Sequence, residues 1–280
     1  MLKLRKLFRR KSPKPQPTED HIFNQYCFDM PSHQTAVDAL NGWTSAFPSE
    51  TGIIGGTHPL FADGRISWAV EQMGSIEGRN ILEIGPLEGM HTYMLNMHRP
   101  IKIDAIEANK QCFLRCLVTK EILNIDRARF HLGDALKWLI EKELQYDLII
   151  ASGVLYHMAD PGEFISKMAT RSDNLFIWTH YFNDNPNPED DIWRLPLSGK
   201  VESRILANIP VRYYERRYFQ ANTNENFCGG MRDRHYWMHR DDIIALLTAL
   251  GFNDLKIAHE DVNHRNGPCF SIFAKRGPSR

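Results

Sequence analysis

The sequence predicts an α/β fold with a doubly wound, mostly parallel seven-stranded sheet and a terminal antiparallel strand. Five apolar runs between residues 80 and 182 alternate with helix-like stretches at the spacing of βαβ units. Another helical pattern, "HRDDIIALLTALGF", precedes two strand-like runs at the C-terminus. The turn between these runs, "NHRNG", is too short for a parallel crossover, so the two strands must be antiparallel.

The individual elements follow from the same patterns. "DGRISWAVEQMG" (63–74) has helical spacing and begins at Asp63, a residue suited to an N-cap. The predicted strands are 80–85, 101–108, 128–133, 146–153 and 174–182. The predicted helices between them are 89–97, 109–123, 135–143 and 160–170.

The 280 residues are enough for one large domain with additions. Residues 79–182 and 238–276 are expected to form the core. An N-terminal helical extension or lid precedes it at 21–78, and an insertion rich in Asn, Pro, Arg and Tyr interrupts it at 183–237. No apolar run approaches the roughly 20 residues that span a bilayer, so no stable membrane insertion is expected.

The formal net charge of zero is unevenly distributed along the chain. Residues 1–18 contain seven Lys or Arg and no acid, which leaves 27 basic residues against 34 acids and a body charge near −7. The basic leader, residues 1–20, is either a solvated disordered segment or a contact for an anionic surface such as membrane or nucleic acid.

Cysteine usage points to a reducing compartment. The five cysteines include no CxxC pair, so neither a disulfide framework nor a structural zinc site is expected, and no metal ligand is assigned. The leader lacks the long apolar stretch of a secretory signal. A cytoplasmic location is therefore expected.

The stretch "NILEIGPLEGMHTYML" (80–95) predicts a strand that turns tightly, at Gly85 and Gly89, into a helix facing a ligand. It lacks the lysine of a phosphate-binding P-loop, and Leu87 stands where the dinucleotide fingerprint needs glycine. Glu83 would repel a pyrophosphate but suits the ammonium group of an amino-acid-bearing nucleoside. S-adenosyl-L-methionine is such a ligand.

Acidic residues close the next two strands. Glu107, at the end of the second strand, can accept hydrogen bonds from both ribose hydroxyls of a bound nucleoside, NAD included. Asp134 follows the third strand and can accept from an adenine amino group. An NAD-dependent oxidoreductase thus remains an alternative, although no tyrosine has the lysine four positions on that a short-chain dehydrogenase requires.

From residue 79 onward the chain resembles a class I S-adenosyl-L-methionine-dependent methyltransferase with a Rossmann-like fold. The resemblance is carried by "LEIGPLEG", "IEAN", "LGDAL" and "YDLIIASGVLYHMADP", in the family's order and spacing. It departs at Pro86 and Leu87, where many members have a small residue or Cys followed by Gly. The cofactor-contacting positions it implies are Glu83, Gly85, Gly89, Glu107, Asp134 with the adjoining Ala135, and Ser152.

A narrower similarity concerns the branch of that family containing the tRNA wobble-uridine carboxymethyltransferase. "EGMHTYML", "GVLYHMADP" and "ALLTALGFNDLKI" carry it. That enzyme uses a carboxylated S-adenosyl-L-methionine, but its carboxylate-binding residues cannot be placed on this chain. A tRNA-modifying enzyme is therefore an alternative function, without transfer of the unusual cofactor.

Three histidines are predicted at the carboxyl edge of the sheet, where ligands of open α/β folds bind: His91, His157 and His180. Methyl transfer needs in-line positioning, and a base if the acceptor must lose a proton. His157 and His180 are the candidate catalytic bases, and for each the alternative is a purely structural role. His91, beside the glycine turn, is expected to touch the cofactor.

The insertion is expected to bind the acceptor. "VRYYERRYF" (211–219) interleaves arginines with aromatic residues, which suits the binding of single-stranded nucleic acid, of an anionic sugar or of a small aromatic acceptor. The structural alternative is an amphipathic strand with its arginines in solvent. "NENFCGGMRDRHYW" (224–237) fits a flexible lid or a returning turn, with no nucleophilic role for Cys228. A covered cleft on an acidic body favours O- or N-methylation of a small or anionic metabolite, such as a sugar, over tRNA. A non-catalytic module that only binds the cofactor is the remaining alternative.

Overall fold

The computed structural model describes residues 26–184, 192–223 and 229–277. The basic leader, residues 1–20, and Cys228 lie outside these ranges. Within them the chain forms a central seven-stranded sheet with helices on both faces and a separate three-stranded sheet. None of the helices in the described part of the chain has the length and apolarity needed to cross a membrane.

The strand order of the central sheet matches the predicted fold class. The strands are β1 (Asn80–Ile84), β2 (Lys102–Glu107), β3 (Ala128–Leu132), β4 (Leu148–Ser152), β5 (Asn174–His180), β6 (Leu197–Leu206), β7 (Ile209–Arg217), β8 (Arg234–Met238), β9 (Phe252–Asp261) and β10 (Cys269–Arg276). The central order is β3-β2-β1-β4-β5-β10-β9, with β1 to β5 parallel. The last strand, β10, lies between β5 and β9 and runs antiparallel to both, which confirms the expected antiparallel closure.

Short polar residues begin the helices that follow the strands. The helices are α1 (His33–Asp38), α2 (Gly64–Met73), α3 (Met90–Met97), α4 (Lys110–Ile122), α5 (Ala135–Glu141), α6 (Pro161–Ala169) and α7 (Arg240–Ala249). Side chains of Asp63, Asn109, Asp134 and Asp160 accept from first-turn amides of α2, α4, α5 and α6. These caps fix where each helix starts beyond the carboxyl end of a strand or at the edge of the cleft.

Apolar side chains on both faces of the sheet explain the nearly continuous apolar runs in the sequence. On one face, Ile81 and Phe176 pack with residues of α2 and α3. On the other, Leu82 and Ile177 pack with residues of α5, α6 and α7. The parallel strands are therefore sandwiched between two layers of helix, and only their ends are open to a ligand.

The insertion after β5 contains an antiparallel sheet of order β6-β7-β8. Ala207 and Asn208 form the two-residue turn of its first hairpin, and both have the positive φ that such turns require. The Tyr213 hydroxyl donates to Asp160 Oδ1 at 2.9 Å. This bond fastens the small sheet to the start of α6, beside the carboxyl end of β4.

The N-terminal segment is tied to the loop that follows β1. Glu88 is fully buried and accepts from the backbone amides of Thr44, at 2.9 Å, and Ser45, at 2.7 Å. Arg115 Nη1 lies 3.4 Å from the same carboxylate. Since a buried carboxylate needs such partners, Glu88 holds this segment against the edge of the cleft.

Candidate active site

A cavity of about 560 Å³ opens at the carboxyl ends of the parallel strands. Residues that end or follow β1 to β4 form its floor, among them Gly85, Glu107, Asp134 and Ser152. Leu60 and Arg65 from the N-terminal segment and residues 229–232 from the insertion complete the wall. The cavity thus lies where open α/β folds bind ligands, beneath both added segments.

Backbone geometry explains the glycine turn after β1. Gly85 has φ 69°, and a Cβ at this position would lie 2.7 Å from Val154 Cγ2. Only glycine fits there, both sterically and conformationally. Leu87 also has a positive φ, 57°, a conformation that glycine adopts more easily than a residue with a side chain. Gly89 ends the turn as the N-cap of α3.

The carboxylate of Glu107 is oriented by two backbone amides. It accepts from Leu87 N at 3.1 Å and from Asn109 N at 2.8 Å. A carboxylate has about four acceptor sites, so this anchoring is compatible with a hydroxyl-bearing ligand in the cavity. Asp134, the other predicted acid, caps α5 by accepting from Leu136 N at 2.9 Å and also lines the cavity.

Glu83 lies beneath the glycine turn and not on the cavity surface. It is buried, and the Thr92 hydroxyl donates to its Oε2 at 2.5 Å. Burial raises the pKa of Glu83 to about 7; the Thr92 hydrogen bond opposes this shift and the charge of Glu107 adds to it. The geometry therefore gives Glu83 a supporting position behind the turn.

An ion-pair network forms one end of the cavity. Asp63 Oδ2 accepts from His91 Nε2 at 2.9 Å, and Asp63 Oδ1 accepts from Arg65 Nε at 2.9 Å. Burial alone would raise the pKa of Asp63, but the bonds from His91 and Arg65 hold it well below its usual range. The Arg65 guanidinium also lies 4.3 Å from the Trp178 ring centroid. A cation fixed in this way can bind a carboxylate.

His157 lines the cavity from the 3₁₀ turn Leu155–His157. Its Nδ1 is hydrogen-bonded to the Tyr218 hydroxyl, which also accepts from Gly230 N at 3.2 Å. Burial, reinforced by His235 and His180, lowers the pKa of His157 to about 3. The imidazole is therefore neutral near pH 7 and is a weak base.

His180 lies outside the cavity lining. Its Nδ1 donates to the Gly267 carbonyl oxygen at 2.7 Å, and its ring stacks on Trp237 with centroids 5.4 Å apart. Burial lowers the pKa of His180 to about 4, against the opposing effect of the Gly267 bond. Tyr156, which does line the cavity, packs edge-on against His180 at 4.8 Å. The structure therefore does not bring His180 together with the other predicted site residues.

The cavity combines predicted and unpredicted residues. The predicted residues that line it are Gly85, His91, Glu107, Asp134, Ala135, Ser152 and His157. Glu83, Gly89 and His180 do not line it. Arg65, Tyr156 and Trp178 were not assigned from the sequence. Trp178 is part of the apolar run of β5, so nothing in the sequence distinguished it from a core residue.

The arginines of 211–219 take part in packing. Arg212 pairs with Asp242, Arg216 lies over Trp237 and donates to the Trp193 carbonyl, and Arg217 pairs with Glu215. None of the three lines the cavity. These contacts favour a packing role for residues 211–219 over the binding of single-stranded nucleic acid.

Sheet order, glycine turn and cavity together define a Rossmann-like fold of the methyltransferase type. Among solved structures, the chain is similar to the N-terminal domain of EvdMO1. The crystal structure in the presence of SAH (S-adenosylhomocysteine) and D-fucose gives a TM-score of 0.65, and the one with SAH bound gives 0.66. Both are 20% identical to this chain, and the matches cover 89% of this chain and 100% of the domain.

The match to the whole of EvdMO1 has a TM-score of 0.60 at 18% identity, and it covers 87% of this chain and 46% of EvdMO1. The chain therefore corresponds to just under half of that protein. No protein-family model matches the sequence, and no curated protein matches it. The structural likeness shows a shared fold.

Proposed function

We propose that the protein is an S-adenosyl-L-methionine-dependent methyltransferase acting on a small anionic metabolite. One observation carries the proposal: a single cavity joins the glycine turn, Glu107 and Asp134 to aromatic and cationic residues beneath the insertion. Its volume of about 560 Å³ lies within the usual range of small-molecule sites. The cavity has room for a nucleoside cofactor at one end and an acceptor at the other.

The residues present fit this cofactor. Glu107 would hold the ribose hydroxyls and Asp134 the adenine amino group, while the backbone at Gly85 allows close approach of the methionine part. Arg65, fixed by Asp63, would bind the methionine carboxylate. When bound, the cofactor supplies a methyl group on a sulfonium centre.

An anionic acceptor is supported by Arg232, which lines the cavity. The Arg232 side chain is exposed, and within the described parts of the chain it forms neither a hydrogen bond nor an ion pair that would neutralise it. The similar EvdMO1 domain was crystallised with D-fucose, which supports a sugar-like acceptor. An acidic sugar or sugar phosphate would satisfy both features.

His157 would contribute by hydrogen-bonding the acceptor. Its lowered pKa, about 3, makes it a poor base but leaves a neutral imidazole that Tyr218 holds in place. Residues 229–232 lie over the same part of the cavity and would exclude water from the sulfonium. His180, outside the lining, is not assigned a contact with the acceptor.

Calorimetry with S-adenosyl-L-methionine, S-adenosylhomocysteine and NAD tests the cofactor. Binding of the adenosyl compounds but not NAD is expected, and the reverse would favour an oxidoreductase. Labelled methyl transfer into extract, with and without ribonuclease, tests the acceptor. We expect a labelled small anion. Label that ribonuclease removes would identify tRNA, and cofactor binding without any labelled product would identify a non-catalytic module.

A further inference from the structure

Three potential metal ligands lie close together behind Tyr156, which lines the cavity. His180, His264 and Cys269 each offer one ligand atom, and these atoms all lie within 4.8 Å of one another. We propose that they form a binding site for a transition-metal ion of the zinc class. None of the three residues lines the cavity, so this site is separate from the proposed cofactor and acceptor site.

The sheet register brings the cluster together. His180 at the end of β5 and Cys269 at the start of β10 are direct partners in the antiparallel pair. His264 comes from the turn between β9 and β10. Two ligands are thus fixed by paired strands, and the third lies on a turn that can adjust.

Hydrogen bonding prepares His180 for coordination. The Nδ1 atom donates to the Gly267 carbonyl at 2.7 Å, so the proton of the neutral ring is on Nδ1 and Nε2 carries a lone pair. A backbone carbonyl bonded to the far nitrogen is the usual second partner of a metal-binding histidine, and it fixes the ring orientation.

Cys269 supplies a sulfur ligand that is buried beside an indole donor. The Trp178 side chain donates a hydrogen bond to the Cys269 sulfur. Metal binding would displace the thiol proton to solvent and form a metal–thiolate bond, which the Trp178 donor would stabilise. The protein needs no oxidant or reductant for this step.

The donor set selects the metal. Two imidazoles and one thiolate are typical of zinc and related ions, whereas magnesium and calcium require oxygen ligands. Tetrahedral zinc places its ligand atoms about 3.3–3.8 Å apart, so the cluster must contract by about 1 Å. His264 is half-buried on its turn and can make this movement. Its Nδ1 accepts from Asn266 N at 3.2 Å, which places the proton of the neutral ring on Nε2. Ligation through Nε2 would require that proton to move to Nδ1, and the Asn266 bond would then be lost.

A metal at this position would stiffen the cavity wall. His180 stacks on Trp237 and packs edge-on against Tyr156, which lines the cavity. Three protein ligands leave one tetrahedral position for water. The ion would therefore lock β5, β10 and the turn between β9 and β10 behind Tyr156.

Zinc binding to the full chain, freed of metal by chelation, tests the proposal by competition with a chromophoric chelator. We expect one zinc ion per chain, and a loss of affinity of about 100-fold or more in Cys269→Ser and in His264→Asn. His264→Asn changes a half-buried turn residue, so it leaves the core intact even if Cys269→Ser disturbs folding. Cys27→Ser, His33→Asn and Cys228→Ser are the controls and should bind as the wild type does.

Cobalt provides a second readout. Cobalt(II) bound to the wild type should show a thiolate-to-metal charge-transfer band that is lost in Cys269→Ser and kept in Cys27→Ser. Equal zinc affinity in wild type and His264→Asn, or a charge-transfer band that survives Cys269→Ser, would overturn the proposal.

Discussion

The backbone amide of Leu87 donates a 3.1 Å hydrogen bond to Glu107, and this bond joins the glycine turn to the end of β2. The Asn109 amide, at 2.8 Å, holds the other carboxylate oxygen. Leu87 makes this bond with a positive φ, 57°, although it carries a side chain. The turn after β1 is therefore fixed to the end of β2 through its backbone.

Replacing Glu107 should weaken cofactor binding. Glu107→Ala is expected to lower affinity for S-adenosyl-L-methionine about 10- to 100-fold, because hydrogen bonds to a charged group contribute about 1.5–3 kcal/mol. The Glu107→Gln variant keeps one acceptor oxygen and should therefore lose less affinity for S-adenosyl-L-methionine. Calorimetry measures both, with Glu121→Ala on the exposed face of α4 as the control. An unchanged dissociation constant in Glu107→Ala would remove the ribose assignment.

Glu83 should make the protein less stable as pH rises. Its folded-state pKa, about 7, lies above the ordinary value of 4.5. The stability it contributes is therefore complete below pH 4.5 and is lost as pH rises through 7. Glu83→Gln should remove this dependence, which is on the order of 3 kcal/mol.

Urea unfolding at a series of pH values compares wild type with Glu83→Gln. The free energies of unfolding should converge below the ordinary pKa of the carboxyl and separate above it, with the variant more stable at the alkaline end. Thr92→Ser, which keeps the hydroxyl donor, should follow the wild type. Parallel curves for wild type and Glu83→Gln would mean that the carboxylate is not buried as the structure shows.

Asp63 should have the opposite pH dependence. Its pKa is held low by His91 and Arg65 against the effect of burial, so its contribution is complete above the ordinary value of 3.8 and is lost as pH falls below it. Asp63→Asn keeps an oxygen for the cap of α2 but loses the charge. The substitution should lower the free energy of unfolding by about 1–3 kcal/mol at pH 7, and this loss should become smaller in acid. Urea unfolding measures it. Asp254→Asn, at an exposed site, is the control; a deficit that does not change with pH would contradict the ion-pair interpretation.

The pH dependence of activity should show no ionisation of His157. With a pKa of about 3 the imidazole remains neutral between about pH 5 and 8, so methyl transfer should show no inflection from it there. His157→Asn can still bond Tyr218 and should retain more activity than His157→Ala. Rates of labelled methyl transfer across this pH range provide the measurement. A wild-type inflection that disappears in His157→Asn would show that His157 acts as a general base after all.

The sequence revealed β1, β2, β4 and β5 because these strands are buried on both faces and so read as apolar runs. The insertion sheet gave no such signal, since nearly all of β6 is exposed and its residues do not alternate in polarity. The glycine turn and the two acids closing β2 and β3 were visible as local motifs. Arg65 was missed because its role depends on packing α2 against Trp178.

Long-range contacts explain the remaining differences between sequence and structure. His180 and Cys269 are far apart in the chain, and only the pairing of β5 with β10 places them opposite each other. Sequence spacing therefore predicted no metal site. Motif position likewise suggested that Glu83 and His180 would contact ligands, but the side-chain packing of β1 and β5 turns both away from the cavity.

Gly230 should control access of the acceptor. A Cβ at this position would lie 2.5 Å from the His157 carbonyl oxygen and 3.2 Å from the Tyr218 hydroxyl, so Gly230→Ala must move residues 229–232 away from the cavity. If these residues cover the acceptor as proposed, kcat/KM for the acceptor should fall between about tenfold and a hundredfold. Affinity for S-adenosyl-L-methionine should stay the same, since the cofactor contacts lie at the other end. Gly64→Ala is the matched control, because a Cβ there meets no atom within 4 Å; equal kcat/KM in both variants would show that the segment does not cover the acceptor.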